Sequence, residues 1–264
     1  GQVSLAKVCA GEDIGVQKVD CPSVDRLVSL VLRGGWPGAL GKSDEQALLI
    51  PREYVENVVN VDLQKLDDIE RDSVKVRKCL RSLARNESTT VSTATIRSDI
   101  AEFDDTSMGI NTVTAYLAAF KRLFLTHDTA PFSPFLRSPT RIKQQDKRRF
   151  CDPSIAAALL GATPGMLMRD LRTFGFLFES LAVRDLEIYA EALDAQFYHY
   201  QDYDNDEFDA VLQFPDGTWN AFEIKFNPAD IDEAAAELVR IAAKFTHNPP
   251  KSLAVIVGKQ VLAH

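Results

Sequence analysis

The stretch from Phe208 to Phe226, FDAVLQFPDGTWNAFEIKF, constrains this chain more than any other. Two apolar runs flank Pro215, Asp216 and Gly217, and a Pro-Asp-Gly turn between such runs predicts a β-hairpin. Strand side chains alternate between faces. Glu223 and Lys225 should therefore share one face, and Phe222, Ile224 and Phe226 the other. Asp209 falls on the first strand. The hairpin thus presents an Asp, then a Glu-x-Lys. Such carboxylates are hard oxygen ligands for magnesium or manganese, and the lysine can orient water or meet phosphate charge. A solvated hairpin face would carry the same residues, because Glu-x-Lys is common on strands.

The rest of the chain decides what that hairpin sits on. Its 264 residues suit two or three modest domains, and 45% hydrophobic with 26% charged residues is ordinary for a globular protein with real cores. No run of eighteen apolar residues occurs, so no membrane helix is expected. The start, GQVSLAKVCAGEDIG, has no basic region followed by an apolar core, and so does not read as a secretory signal. Gly1 stands where an initiator Met would, and the expectation is a piece of a longer protein. Cys9, Cys21, Cys79 and Cys151 are scattered without a C-x-x-C, which fits reduced structural thiols and a cytoplasmic setting.

Charge is uneven along the chain. From residue 151 onward there are 8 Lys and Arg against 18 Asp and Glu, whereas the residues before it carry 22 against 20. An acidic C-terminal lobe attracts a polyanion poorly, which counts against a freely acting nuclease.

Residues 1–70 read as a helical segment. Val24, Leu27, Val28, Val31 and Leu32 recur at helical spacing before Gly34 and Gly35, and a second stripe runs from Leu48 to Leu63. If left exposed, these stripes would drive self-association. Gly41-Lys42-Ser43 imitates a phosphate loop, but the first glycine that motif requires falls on Trp36 and a helix precedes it where a strand is needed. No ATP site is expected in this chain.

Residues 71–150 read as a winged helix-turn-helix. Three helices are expected, one around Val74 to Leu83, one from Thr93 to Phe103, and one from Gly109 to Phe124 with Asn111 as N-cap. Strands at FLTHDTAPF and RRFCDP follow, and helix, helix, helix, strand, strand is the winged order. The segment joining those strands is basic, with Arg137, Arg141, Lys143, Lys147, Arg148 and Arg149. A basic wing can touch nucleic-acid phosphates; as a solvated loop, or docked on an acidic neighbour, it would look the same. The third helix offers only Lys121 and Arg122, near its end.

Residues 151–264 change character. A helix from Leu171 to Leu193 places Glu179 beside the apolar stripe of Phe174, Leu177, Phe178 and Leu181. A strand at AQFYHYQ, the hairpin, a helix from Pro228 to Phe245 and a buried strand at Ser252 to Lys259 complete a mixed sheet flanked by helices. The fold class expected for the whole chain is mixed α+β.

Six segments in order carry a wider resemblance. They are RGGWPGAL, YVENVVNVDLQKLDDI, INTVTAYLAAFKRLFLTHDTAPF, RRFCDPSIAAALLG, FGFLFESLAVRDL, and DEFDAVLQ followed by AFEIKF. Together they cover nearly all of residues 24–258 and resemble the C-terminal portion of prokaryotic AAA+-type ATPases that end in a domain of unknown function. Trp36 and Gly38 depart from that family's usual smaller aromatic and glutamate. The resemblance implies that residues 151–264 form a lobe like the PD-(D/E)xK (restriction-endonuclease) fold, with Glu179, Asp209, Glu223 and Lys225 as its nuclease-like cluster. It also implies a partner, since the N-terminal ATPase domain of that family is not among these residues.

Two functions stand side by side. In one, Asp209 and Glu223 ligate magnesium or manganese, helped by Glu179, and Lys225 positions water or phosphate in a nuclease acting on nucleic acid. In the other, the lobe is a non-catalytic platform that binds a partner or nucleic acid and regulates an ATPase.

Overall fold

The Pro-Asp-Gly turn closes the expected hairpin. In the computed structural model, which describes residues 3–15, 22–67, 69–133 and 145–258, Gly217 adopts φ +84°, a left-handed conformation that favours glycine. Asp216 Oδ1 accepts the Thr218 amide at 2.9 Å and its hydroxyl at 2.7 Å, which fixes the turn.

The chain is mixed α+β, with a helical N-terminal region and a C-terminal sheet. Helices α1 (Leu5–Ala10), α2 (Val24–Arg33), α3 (Asp44–Ala47), α4 (Leu49–Asn57), α5 (Leu63–Lys65), α6 (Ser73–Arg85), α7 (Thr93–Asp104) and α8 (Ile110–Arg122) precede strands β1 (Thr126–Thr129) and β2 (Lys147–Phe150). Then come α9 (Pro153–Leu159), α10 (Pro164–Leu167), α11 (Leu171–Ala192), β3 (Gln196–Gln201), β4 (Glu207–Gln213), β5 (Trp219–Lys225), α12 (Ile231–Ala242) and β6 (Ser252–Val257). Internal contacts group residues 1–27, 129–146 and 181–264 into one unit, called here the sheet unit, and residues 28–128 and 147–180 into a second, the helical unit.

The sheet unit is built on four strands in the order β3-β4-β5-β6. β4 is antiparallel to both β3 and β5, and β6 runs parallel to β5. A parallel neighbour requires a crossover, and α12 lies on it, burying Ala234, Leu238 and Ile241. Phe132, Tyr200, Phe208, Val211, Trp219, Ala221, Leu238 and Ile241 form the core. Ser252 to Val257 is half-buried along its whole length, against the expectation of a buried strand, because β6 lies at the sheet edge. The opposite edge is extended by the stretch after β1. Pro131 bridges His199 in parallel, the Phe132 amide donates to the His199 carbonyl at 2.6 Å, and the His199 amide donates to the Ala130 carbonyl at 3.1 Å. The beginning of the expected wing is thus drawn into the sheet unit, with the Phe132 ring 4.7 Å from that of Trp219.

Between β3 and β4 the register slips. Tyr198 faces Val211, but Tyr200 faces Phe208, so β4 spends three steps where β3 spends two. One extra residue in β4, at Asp209 or Ala210, is a β-bulge. It explains how Phe208 and Val211, three positions apart, enter the same core cluster, which strict alternation forbids.

In the helical unit Val28, Val31, Val58, Val59 and Leu63 are buried, so the N-terminal stripes are covered there. Val76, Cys79, Leu80, Ile96, Ile100, Val113 and Phe120 fill the space among α6, α7 and α8. Asp72 caps α6 and Ser92 caps α7 through their side chains. Gly109, not Asn111, is the N-cap of α8; its carbonyl accepts the Thr112 and Val113 amides, and Asn111 lies inside the helix. The RGGW segment has a specific task. Gly34, at φ +67°, brings the backbone against the cap of α9, where the Gly35 amide donates to Asp152 Oδ2 at 2.9 Å and Trp36 Nε1–H to Ser154 Oγ at 2.9 Å. A Cβ on Gly34 would sit 2.3 Å from Ser154 Oγ, so only glycine fits.

Candidate functional site

Asp209, Glu223 and Lys225 meet in the sheet unit. β5 carries Glu223 and Lys225 on one face, as alternation requires, and Lys225 Nζ donates to Glu223 Oε1 at 2.6 Å. Asp209 comes from the bulged part of β4. Its Oδ2 accepts the Ile224 amide at 2.8 Å, which ties the carboxylate to the backbone between the two other residues. Asp209 is 4% exposed and Glu223 6%. Burial, followed by the Asp209 carboxylate, pushes the Glu223 carboxyl up to about 7, while the Lys225 ammonium opposes the rise. Glu207, two residues before Asp209 in β4, adds to the same negative field. Sequence reasoning passed over Glu207, although its spacing from Asp209 was the signal.

Glu179 falls in the helical unit. Lys147 Nζ donates to its Oε1 at 2.7 Å, with both side chains largely buried. Next to it in sequence, the Ser180 hydroxyl donates to Glu87 Oε1 at 2.6 Å, and the Phe150 amide donates to both Glu87 oxygens at 3.2 Å. Glu87 is 4% exposed, and burial pushes its carboxyl up to about 8; the Ser180 and Phe150 bonds and Arg149 oppose the rise, and Glu179 adds to it. Nothing in the sequence singles out Glu87, which lies in a turn between two helices.

Of the basic segment, Arg137, Arg141 and Lys143 lie outside the described residues. The other three are held by the protein itself. Lys147 pairs with Glu179, and Arg149 is buried. The Arg148 amide donates to the Thr89 carbonyl at 3.0 Å, and its guanidinium lies 3.7 Å from Asp128 and donates to the Val91 carbonyl. Asp128 also takes Lys121 of α8, at 3.0 Å.

Among the described residues no three His, Cys, Asp or Glu side chains converge as a metal-ligand set. The Asp209 and Glu223 pair still suits magnesium, which keeps several waters and takes one or two protein carboxylates together with substrate phosphates. Two buried carboxylates raising each other's energy are also what a divalent cation relieves. Among the described residues no helix is long and apolar enough to cross a membrane.

These features define a mixed α+β protein whose sheet unit buries an Asp and a Glu beside a partly exposed Lys. A family model described as a domain of unknown function, DUF8612, matches residues 24–165, more than half of the chain, and the protein belongs to that family. A second domain of unknown function, DUF4143, matches residues 174–263 and is commonly found with AAA ATPases. No curated protein and no solved structure matches the chain.

Proposed function

We propose that the protein is the C-terminal part of an AAA+-type ATPase system, with a PD-(D/E)xK-like lobe that binds a divalent metal and acts on nucleic-acid phosphodiesters. The observation that carries this reading is the pair of buried carboxyls, Asp209 and Glu223, on adjacent strands, with the Lys225 ammonium on Glu223. Asp209 and Glu223 would hold magnesium or manganese. The metal would supply Lewis-acid polarisation of a phosphoryl oxygen and an activated water. Asp209 is oriented by the Ile224 amide, so its remaining oxygen is aimed by the backbone rather than by a flexible chain. Lys225 is 37% exposed at its side chain while Glu223 is 7%, so its ammonium stands on the solvent side of the pair, where phosphate charge would arrive. The order α6, α7, α8, β1, β2 supports a winged-helix reading of residues 71–150.

The non-catalytic platform has its own support. Lys121, Lys147 and Arg148 are occupied by acidic partners within the protein, and the chain from residue 151 onward is strongly acidic, so nucleic acid meets little positive field there. Manganese titration by calorimetry separates the readings. Micromolar binding in the wild type that disappears in Asp209→Asn, followed by cleavage of single- or double-stranded substrate, is the expected result. Absence of heat in both proteins would leave the platform as the function.

A further inference from the structure

A pocket of about 210 Å³ lies in the helical unit between α8 and the strands β1 and β2, apart from the carboxylate pair of the sheet unit. Thr93, Lys121, Thr126, Asp128 and Arg148 give it a polar lining. Thr114 also reaches it, but its hydroxyl already donates to the Ile110 carbonyl at 2.9 Å. Leu83, Leu117 and Ala118 supply an apolar wall.

The charges in this pocket do not balance. Among the described residues Asp128 is the one acidic side chain that lines it, and two cations share that carboxylate. Lys121 Nζ stands 3.0 Å from Asp128 Oδ2, and Arg148 Nε stands 3.7 Å from Asp128 Oδ1. One carboxylate cannot neutralise both, so a surplus positive charge stays at the pocket, in a chain whose formal net charge is −8. The backbone holds that charge in place. The Arg148 amide donates to the Thr89 carbonyl at 3.0 Å, and its Nη1 donates to the Val91 carbonyl at 3.4 Å. These bonds tie β2 to the stretch before α7 and set the guanidinium in the same pocket as Thr93, the first residue of that helix. The N-terminal end of the α7 dipole adds to the positive field. Lys121, with 62% of its side chain exposed, stands at the rim; Arg148, with 26%, lies deeper.

Shape and charge narrow the ligand. A recess of this size admits a terminal group, whereas a duplex backbone is gripped by a row of cations along a face. A phosphate monoester carries a charge of about −1.5 to −2 at neutral pH and strong acceptor oxygens, which suit a guanidinium fork, an ammonium and hydroxyl donors. We propose that this pocket binds the terminal phosphate of a small phosphorylated molecule. Lys121 and Arg148 are its counter-ions, the Thr93 and Thr126 hydroxyls its neutral donors, and the apolar wall receives its carbon skeleton. Asp128 is a competitor: it holds both cations and must be outbid by the phosphate.

The test is calorimetric titration of the whole chain with inorganic phosphate and with phenyl phosphate, beside phenol as the uncharged control. Both phosphates bind at millimolar concentration or below, phenyl phosphate the more tightly, and phenol does not. Lys121→Gln, at an exposed position that folding tolerates, weakens binding about tenfold. Asp128→Asn keeps the shape of the side chain, frees both cations and tightens binding about tenfold, a gain that damage to the fold would not produce. Sodium chloride at about 0.5 M weakens binding in the wild type and in Asp128→Asn. Asp209→Asn binds like the wild type, which separates this site from the proposed metal site. A DNA duplex without terminal phosphates does not displace phenyl phosphate; displacement would mean that the pocket takes nucleic-acid backbone, and would overturn the proposal. So would silence of both phosphates on the wild type and Asp128→Asn, or weaker binding in Asp128→Asn.

Discussion

Glu223 in the sheet unit and Glu87 in the helical unit are both buried carboxyls held above the usual range, to about 7 and about 8, yet they are stabilised in opposite ways. Glu223 has a cation on it, Lys225, and a second carboxylate, Asp209, acting on it. Glu87 is bonded by neutral groups, the Ser180 hydroxyl and the Phe150 amide, with Arg149 contributing charge alone. The first arrangement gains from another cation. The second is satisfied by its neutral partners, because the Ser180 hydroxyl can donate to the carboxyl or accept from it. Burial alone therefore does not define a site; the partners decide what it can take up.

The largest effect should come from deleting the two carboxyls in turn. Glu87→Ala leaves a buried amide and hydroxyl without an acceptor and should cost about 2–4 kcal/mol in urea unfolding. Glu223→Ala should cost less, because Lys225 can turn its ammonium to solvent. Equal losses would break the comparison.

The pH dependence comes next. Between the unfolded value near 4.5 and the folded values of about 7 and about 8, the folded chain keeps protons that the unfolded chain has released. Stability contributed by these groups is therefore complete below about pH 4.5 and falls as pH rises through 7 and 8. Glu87→Gln should remove the part of the decline that extends to about pH 8, and Glu223→Gln the part that ends near 7. Urea midpoints measured from pH 5 to 9 would show it, and a rise of stability with pH over that window in the wild type would refute the assignment of both groups.

Smaller effects refine the picture. Ser180→Ala removes one hydrogen bond to Glu87 and should cost about 1 kcal/mol, with no change in the titration of Glu223. Lys225→Met should raise the Glu223 midpoint by about one pH unit, read by carboxyl carbon NMR, and leave Glu87 unmoved. A shift at Glu87 in that variant would mean that the two carboxyls are coupled.

Much of this was legible along the chain. The turn at Pro215 to Gly217, the shared face of Glu223 and Lys225, the long helix with Phe174 and Leu177 inside and the three helices before β1 follow from local pattern. These rules act over a few residues, and both hairpin and helix are built from such neighbours. The basic segment shows where local pattern stops. Its composition reads as an exposed wing, but Lys147, Arg148 and Arg149 turn to Glu179, Asp128 and the interior, and Phe132 joins the core around Trp219. The Asn111 cap failed for a related reason: a cap depends on where the first turn begins, and Gly109 began it two residues earlier.

By itself, the sequence determined that an Asp and a Glu-x-Lys would stand on neighbouring strands, because a β-strand repeats every two residues and a short turn leaves its partner one choice of neighbour. Only the tertiary structure decided that the bulge beside Tyr200 would set Asp209 against the Ile224 amide, that Gly34 would clasp the cap at Asp152, and that Glu87 would lose its solvent to Ser180 and Phe150. Those outcomes depend on side chains between 15 and 118 positions apart, and their energy comes from desolvation, which no stretch of chain carries until the rest has folded around it.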